Sequence, residues 1–142
     1  MRVDNVTKVA LFDLDGRMLL LKRAKDDYAR PGKWDLPGGG IEAGESPLQA
    51  VLREASEEIH INLPAASLQL VYAVTRLSPA GDISVNRFVF VGAMPINATI
   101  QLSHEHEAFR WLVFEEAVRL YAHPVYVEAL RYARVNKLLP KR

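Results

Sequence analysis

The feature that most constrains this chain is a glycine run followed, at fixed intervals, by acidic residues between positions 38 and 61. The loop that begins Gly38-Gly39-Gly40 leads to Ser46 and Pro47, residue types that favour a helix N-cap and a first helical position. The pattern therefore predicts a helix that starts at Pro47. Apolar residues recur behind it at helical spacing and predict one buried stripe: Leu48, Val51, Leu52, Ala55 and Ile59.

The acidic residues of this helix are clustered. Glu54, Glu57 and Glu58 lie three or four positions apart, so their side chains are expected to project from one side. The simplest interpretation is a solvated face in which Arg53 pairs with Glu57. That interpretation explains little, because acids near the negative end of the helix dipole cost stability unless a cation offsets them. Oxygen ligands without cysteine suit a hard divalent ion such as Mg²⁺ or Mn²⁺.

The same spacing resembles the box of the Nudix (MutT-like) hydrolase family, G-x5-E-x7-R-E-U-x-E-E-x-G-U, where U is aliphatic. His60 stands where the family has its last glycine, which normally ends the helix in a left-handed conformation. We expect a cost of about 1 kcal/mol at His60, or a helix end shifted to Asn62, rather than lost activity. The residues that match the box are Gly39, Glu45, Arg53, Glu54, Ala55, Glu57, Glu58 and Ile61.

The resemblance implies a role for each of these polar residues. Arg53 would orient the glutamates, Glu45 would hold Arg53 or the loop, and Gly39 would support the site from the glycine run. For Glu45 a simpler alternative is a favourable charge near the helix N-terminus. The implied ligands for Mg²⁺, with Mn²⁺ as an alternative, are the carbonyl of Gly38 and the carboxylates of Glu54, Glu57 and Glu58.

The general base stays open. In the family it is either a box glutamate, here Glu54, or a glutamate on a later loop, here Glu105, which lies six residues before Trp111. His104 and His106 flank Glu105 and could form a zinc pair, but no clear third ligand accompanies them. A contact with substrate phosphate is the better alternative, and positions on a polar loop are the ordinary explanation for both histidines.

The rest of the chain alternates apolar runs with turn signals. The glycine run is predicted to be a turn and not a nucleotide cradle, because it lacks the Walker lysine and the G-x-G-x-x-G spacing. The order of elements predicts an α/β fold, an α/β/α sandwich around a mixed sheet, in a single domain over residues 1–142; the resemblance implies the same Nudix fold. The predicted strands are 6–12, 18–21, 34–36, 68–75, 85–91 and 109–114, and further helices are predicted at 115–121 and 124–138.

Composition narrows the class of partner. A formal net charge of +1 gives neither a basic stripe for duplex nucleic acid nor a polybasic membrane patch. No apolar run approaches the roughly 20 residues of a membrane span, and the N-terminal segment lacks the layout of a signal peptide. The chain has no cysteine, so a cytoplasmic enzyme is expected. A homodimer is compatible with the pattern, but nothing in it identifies a pairing face.

The resemblance implies a pyrophosphohydrolase that cleaves a nucleoside diphosphate linked to another moiety by attack of water at phosphorus. Hydrolysis of a (d)NTP fits best by size and by the approach to the box at 34–39, and a dinucleoside polyphosphate follows closely because of 102–107. NDP-sugar or ADP-ribose hydrolysis, and a regulatory domain that binds nucleotide without turnover, remain alternatives. Specificity is expected in segments 24–33 and 85–90, and distal phosphates could contact Lys22, Arg23 or Arg30.

Overall fold

The apolar run at the start of the chain forms the central strand of a mixed sheet. The computed structural model describes residues 1–141. Strand β1 (Arg2–Phe12) runs parallel to a distant strand, Ile83–Ala93. It runs antiparallel to two nearer strands, Met18–Arg23 and Gly38–Gly40. The described residues contain one seven-stranded sheet, whose other strands are β2 (Met18–Arg23), β3 (Trp34–Asp35), β4 (Gly38–Gly40), β5 (Leu68–Leu77), β6 (Ile83–Ala93) and β7 (His106–Leu112).

Two apolar faces of this sheet are covered by helices. Along β1, Val9 and Leu11 pack toward helix α1 (Pro47–Ile59), whereas Ala10 and Phe12 pack toward α2 (Phe114–Tyr121) and α3 (Pro124–Val135). The same alternation continues in β2, as expected when successive side chains of a strand point to opposite faces. Burial of each large apolar side chain stabilises the fold by about 1.5–3 kcal/mol. The predicted α/β/α sandwich with a mixed sheet is therefore confirmed.

Helix α1 begins as its sequence predicts. The hydroxyl of Ser46 accepts the N–H of Gln49 at 3.0 Å, and the side chain of Gln49 accepts the N–H of Ser46 at 2.8 Å. Pro47 follows at the first helical position. These two bonds form a capping box, which satisfies donors that a helix end would otherwise leave unpaired. The start of α1 is thus determined locally, by four consecutive residues.

The end of α1 decides between the two predicted alternatives: the left-handed residue is His60, and the helix end is not shifted to Asn62. His60 itself adopts the left-handed conformation, with φ 58° and ψ 42°, and its N–H donates to the carbonyl of Ser56 at 3.1 Å. The imidazole Nδ1 lies 2.5 Å from the carbonyl oxygen of Gln101, on the loop that passes the helix end. That contact holds the imidazole against the neighbouring loop.

Several predicted boundaries need correction. The glycine run is a short strand, β4, instead of a free turn, because it pairs with residues 6–8 of β1. Helix α3 ends at Val135 and not at residue 138, since Lys137 takes a left-handed φ of 58° and Leu138 donates back to Ala133. Among residues 1–141 none of the helices has the length and apolar character needed to cross a bilayer.

Candidate active site

The site is built where the glycine strand β4 lies against β1. Gly38 stands opposite Lys8 and has a φ of 142°, a conformation that side-chain-bearing residues rarely adopt. A Cβ atom at Gly38 would lie 2.1 Å from the backbone oxygen of Thr7. Only glycine can therefore bring the backbone of β4 this close to the central strand.

Glu58 joins the last turns of α1 to this strand. Its side chain is 4% exposed, and its Oε1 accepts the N–H of Gly38 at 2.8 Å. Burial raises the pKa of Glu58 to about 8, and the negative charges of Glu54 and Glu105 act in the same direction. The ammonium of Lys8 and the N–H of Gly38 oppose this rise. A carboxyl group in this environment holds a proton near neutral pH unless a cation lies beside it.

Glu54 lies against the next glycine of the strand. A Cβ atom at Gly39 would come within 2.7 Å of the Glu54 carboxyl carbon, so the missing side chain makes room for that carboxylate. Burial raises the pKa of Glu54 as well, and the guanidinium of Arg53 lowers it in part. Glu57 is the exposed member of the three box glutamates.

Arg53 connects these carboxylates to the preceding loop. Its Nε and Nη2 donate to the two oxygens of Glu45 at 2.7 and 3.0 Å, and Nη2 also donates to the carbonyl of Gly40 at 3.0 Å. Its Nη1 lies 3.1 Å from Glu54 Oε1 and 3.3 Å from Glu57 Oε2. The hydrogen bonds that Arg53 donates to the carboxylate of Glu45 are the largest cause of the raised pKa of Arg53. Glu45 precedes the helix and also accepts the N–H of Glu42, so its contacts are those of a brace for Arg53 and the loop.

The two histidines near the start of β7, His104 and His106, differ in their exposure to solvent. Glu105 and His104 have exposed side chains, and the carbonyl of Glu105 accepts the N–H of Ala24 at 2.9 Å. His106 does not lie on a polar loop, because it begins β7 and is buried. Burial, followed by the charges of Arg23 and Lys8, lowers the pKa of His106 to about 4. His106 is therefore neutral and withdrawn from the surface.

A cavity of about 280 Å³ adjoins the glycine strand. Arg30 and Arg87 line it, and they come from the two segments in which specificity is predicted, 24–33 and 85–90. The guanidinium of Arg87 lies 5.6 Å from the centre of the Tyr126 ring, at a cation–π distance. Its further lining residues are Val6, Lys8, Arg23, Asp35, Gly39, Gly40 and His123. Cationic side chains thus outnumber acidic ones beside the box.

One lining residue of this cavity, His123, could not be predicted from the sequence. His123 is the N-cap residue of α3, but it also lines the cavity. Burial, followed by the charges of Arg30 and Arg87, lowers the pKa of His123 to about 4, so the ring is neutral. Lys22 is not among the lining residues, and its ammonium lies 3.9 Å from Glu107. A histidine beside a proline was the one sequence signal, and it does not indicate a pocket.

A larger cavity, of about 490 Å³, lies elsewhere, between the β1–β2 turn, residues 94–100 and the exposed ring of Phe109. It shares no lining residue with the box. We assign the candidate site to the smaller cavity because Gly39 and Gly40 belong to both its wall and the box.

The atoms that the box glutamates offer as ligands suit a hard divalent ion. All side-chain donors are carboxylate oxygens, and burial raises the pKa values of Glu54 and Glu58, an effect that a nearby cation would reverse. Within residues 1–141, however, no three acidic or histidine side chains are already gathered as an ion-binding cluster. Arg53 contacts Glu54 and Glu57, and Gly38 contacts Glu58.

The fold and the spacing of the box are those of a Nudix domain, and comparisons with known proteins show the same family. The sequence profile of the NUDIX domain matches residues 1–133, so the chain belongs to this family of hydrolases, whose members generally use divalent metal ions. A structure of the MutT protein from Methanosarcina mazei Go1 superimposes with a TM-score of 0.79 at 27% identity, with 96% of each chain covered.

Two curated relatives differ in how much of their length is matched. The chain is 28% identical over 120 residues to the nucleoside triphosphatase NudI of Escherichia coli O139:H28, covering 76% of this chain and 81% of NudI. It is 34% identical over 100 residues to an octanoyltransferase of Myxococcus xanthus. That match covers 69% of this chain but only 27% of the longer relative, so the shared part is a fraction of that protein.

Proposed function

We propose that this protein is a metal-dependent pyrophosphohydrolase that cleaves a nucleoside diphosphate linked to another moiety, with a (d)NTP or a dinucleoside polyphosphate as substrate. The observation that carries the proposal is the junction at Gly39, where the box carboxylate of Glu54 and the wall of a cationic cavity meet. A polyphosphate needs both features, since its anionic end requires cations and its reacting phosphorus must lie beside the carboxylates.

The box would hold Mg²⁺, with Mn²⁺ as an alternative. Its proposed ligands are the carbonyl of Gly38 and the carboxylates of Glu54, Glu57 and Glu58. When bound, the ion would neutralise phosphate charge and lower the pKa of a water molecule. Binding would require Glu54 and Glu57 to give up part of their contact with Arg53, which lies within 3.4 Å of both. Arg53 would then remain anchored through Glu45 and Gly40.

The chain's own residues would position the reaction and transfer its proton. Arg53 holds the glutamates in orientation, Glu45 holds Arg53, and Gly39 leaves the space that Glu54 occupies. Two residues remain as the base that accepts the proton of the attacking water. Glu54 has a pKa raised by burial, which brings it closer to the working pH, whereas Glu105 is exposed on the loop before β7.

The matched variants Glu54→Gln and Glu105→Gln separate these two candidates. Replacement of the base is expected to lower kcat by about 10²–10⁴-fold and to abolish the acidic limb of the pH–rate profile. Replacement of the other residue should leave that limb in place. Because Glu54 is also a proposed ligand, its variant must in addition be titrated with Mg²⁺, and an unchanged midpoint would assign it to proton transfer.

The cavity would bind the nucleotide beside the box. Arg23 and Arg30 would supply positive charge for phosphate oxygens, and Arg87 would lie at the α3 side of the cavity, over Tyr126. The relative NudI is a nucleoside triphosphatase by name, which supports a (d)NTP above a sugar nucleotide or ADP-ribose. The net charge of +1 and the absence of cysteine support a cytoplasmic enzyme that acts on small molecules rather than on duplex nucleic acid.

The test is identification of the products, nucleotides as well as phosphate and pyrophosphate, formed from a panel of NTPs, oxidised dNTPs, dinucleoside polyphosphates, NDP-sugars and ADP-ribose with Mg²⁺. Glu58→Gln serves as the blank, and Glu116→Gln, an exposed acid on α2, serves as the matched control. We expect pyrophosphate from an NTP, or an NMP and the remaining nucleotide from a dinucleoside polyphosphate. Binding of the same nucleotides without turnover, with Mn²⁺ also tested, would replace the proposal with a regulatory binding role.

A further inference from the structure

A buried row of polar side chains connects helix α2 to the glycine strand. Tyr121 Oη donates to Asp35 Oδ1 at 2.7 Å, and Lys8 Nζ donates to Asp35 Oδ2 at 3.1 Å. The three side chains belong to α2, β3 and β1, and none is more than 4% exposed. None of them belongs to the box, yet the row runs from one helical layer into the centre of the sheet.

The far end of the row reaches the box. Lys8 Nζ also lies 3.4 Å from the carbonyl oxygen of Leu36 and 3.5 Å from that of Gly38. The N–H of the same glycine is held by Glu58. Both polar groups of Gly38 are therefore contacted by buried ionisable side chains, one from β1 and one from α1. Lys8 and Glu58 together hold this residue between the sheet and the helix.

The charges in the row are matched. Burial alone would lower the pKa of Lys8, but Asp35 and Glu58 raise it above its usual value, so the ammonium form is retained. Burial alone would raise the pKa of Asp35, whereas Lys8, Tyr121 and Arg23 hold it well below its usual range. A buried ion pair seldom stabilises a fold more than apolar residues of the same volume would. Its contribution here is better sought in geometry, because the row fixes where the ammonium of Lys8 lies. Asp35 Oδ2 accepts from Lys8 and also from Arg23, at 3.1 Å in each case, and Asp35 Oδ1 accepts from Tyr121.

We propose that Lys8 is a positioning residue for the active site, with Asp35 and Tyr121 orienting its ammonium against the carbonyls of Leu36 and Gly38. Its role is to hold the Gly38 peptide in the orientation that Glu58 and the proposed chemistry require. The effect on turnover rests on the proposed function, but the effect on the glycine strand does not.

The test compares Lys8→Met, which keeps the side-chain length without the charge, with Lys8→Arg, which keeps the charge. Amide hydrogen exchange of Gly38 is measured by NMR relative to Val89 and Val91 in β6, together with kcat and KM. We expect Lys8→Met to speed exchange at Gly38 by about 10-fold or more relative to β6, because the strand loses a fixed contact. We expect kcat to fall by a similar factor with KM within about 3-fold, and Lys8→Arg to recover part of both losses.

Tyr121→Phe provides a milder variant in case Lys8→Met does not fold. It removes only the hydroxyl that orients Asp35, and Tyr132→Phe, in which the ring is exposed on α3, is its control. Faster exchange at Gly38 in Tyr121→Phe but not in Tyr132→Phe supports the proposal. Unchanged Gly38 exchange in folded Lys8→Met, or in Tyr121→Phe, overturns it. If no nucleotide is hydrolysed by the unaltered protein, the proposed function fails, but the exchange data still decide the role of Lys8.

Discussion

The carboxylate of Glu58 and the backbone N–H of Gly38 are joined by a buried hydrogen bond of 2.8 Å, across 20 positions of the sequence. The bond links the end of α1 to the glycine strand, and the hydrogen bond from Arg53 to the carbonyl of Gly40 links the same two elements one turn earlier. It places an ionisable group where burial raises its pKa to about 8. A carboxyl group of this kind stabilises the fold only while it is protonated.

The first prediction concerns Glu58→Gln in the presence of a chelator. The folded pKa is about 8 and the ordinary value is 4.5, so the native state binds the extra proton between these limits. The free energy of unfolding of the unaltered protein should therefore lose this contribution as pH rises from 4.5 to 8, and retain it fully below 4.5. Glu58→Gln should be more stable by at least about 1 kcal/mol at pH 8 and similar at pH 4.5. Urea unfolding at both pH values measures the difference, and a constant difference across this range would contradict the assignment.

The second prediction uses two adjacent glycines as a matched pair. Gly39→Ala places a Cβ atom 2.7 Å from the carboxyl carbon of Glu54, whereas a Cβ atom at Gly40 meets nothing within 4 Å. Gly39→Ala should displace Glu54 and lower kcat by about 10-fold or more, since small misplacements of reacting groups are costly. Gly40→Ala should keep kcat within about 2-fold. Equal kcat values for the two variants would show that Glu54 does not need the space beside Gly39.

The third prediction concerns the fork of Arg53. Lysine keeps the charge but cannot donate to both oxygens of Glu45 and to the Gly40 carbonyl in the same geometry. Arg53→Lys should lower kcat by about 10–100-fold, the usual effect of losing a residue that orients ligands. Steady-state kinetics and a Mg²⁺ titration measure it, and Glu45→Gln should show a smaller effect in the same direction. Activity of Arg53→Lys close to that of the unaltered protein would exclude an orienting role.

The fourth prediction isolates the backbone at the end of α1. His60→Gly and His60→Ala both remove the contact with Gln101, but only glycine adopts a φ of 58° without steric cost. His60→Gly should therefore be more stable than His60→Ala by about 1 kcal/mol in urea unfolding. Both variants should retain kcat within about 3-fold, because the left-handed residue ends the helix and is given no role in the chemistry. A reversed order of stability would mean that α1 ends differently in solution.

Much of the fold follows from local sequence signals, and the reasons differ by element. The start of α1 was predictable because its signals lie within four positions. The side chains of Ser46 and Gln49 accept each other's backbone N–H groups, and Pro47 suits the first helical position. The two strands β5 and β6 extend beyond the predicted ranges, 68–75 and 85–91, since pairing across the hairpin continues through polar residues such as Arg76 and Ser84. Strand β4 could not be predicted from three glycines. Its partners come from β1 and from Glu58, which lie far from it in the sequence.

Some residues of the site could likewise be predicted from the sequence, and others could not. The contact between Arg53 and Glu45 could be expected from the resemblance to the Nudix box, and both residues lie within one loop and one helix. Their chemical roles remain predictions. The cavity wall could not be expected, because Arg87 and His123 come from β6 and from the start of α3 and meet only through the sheet and its covering helices. A topology of this kind brings together residues that no local pattern connects.

The most direct test of the proposed role of the box carboxylates is the rate of Mg²⁺-dependent nucleotide hydrolysis in Glu57→Gln. Glu57 is exposed, so its replacement should leave the free energy of unfolding within about 0.5 kcal/mol and its effect on the rate should be chemical. We predict a fall in kcat of at least about 100-fold in Glu57→Gln and no change in the control Glu116→Gln. A Glu57→Gln protein that keeps its rate within about 3-fold at saturating Mg²⁺ would contradict the claim that the box carboxylates carry the reaction.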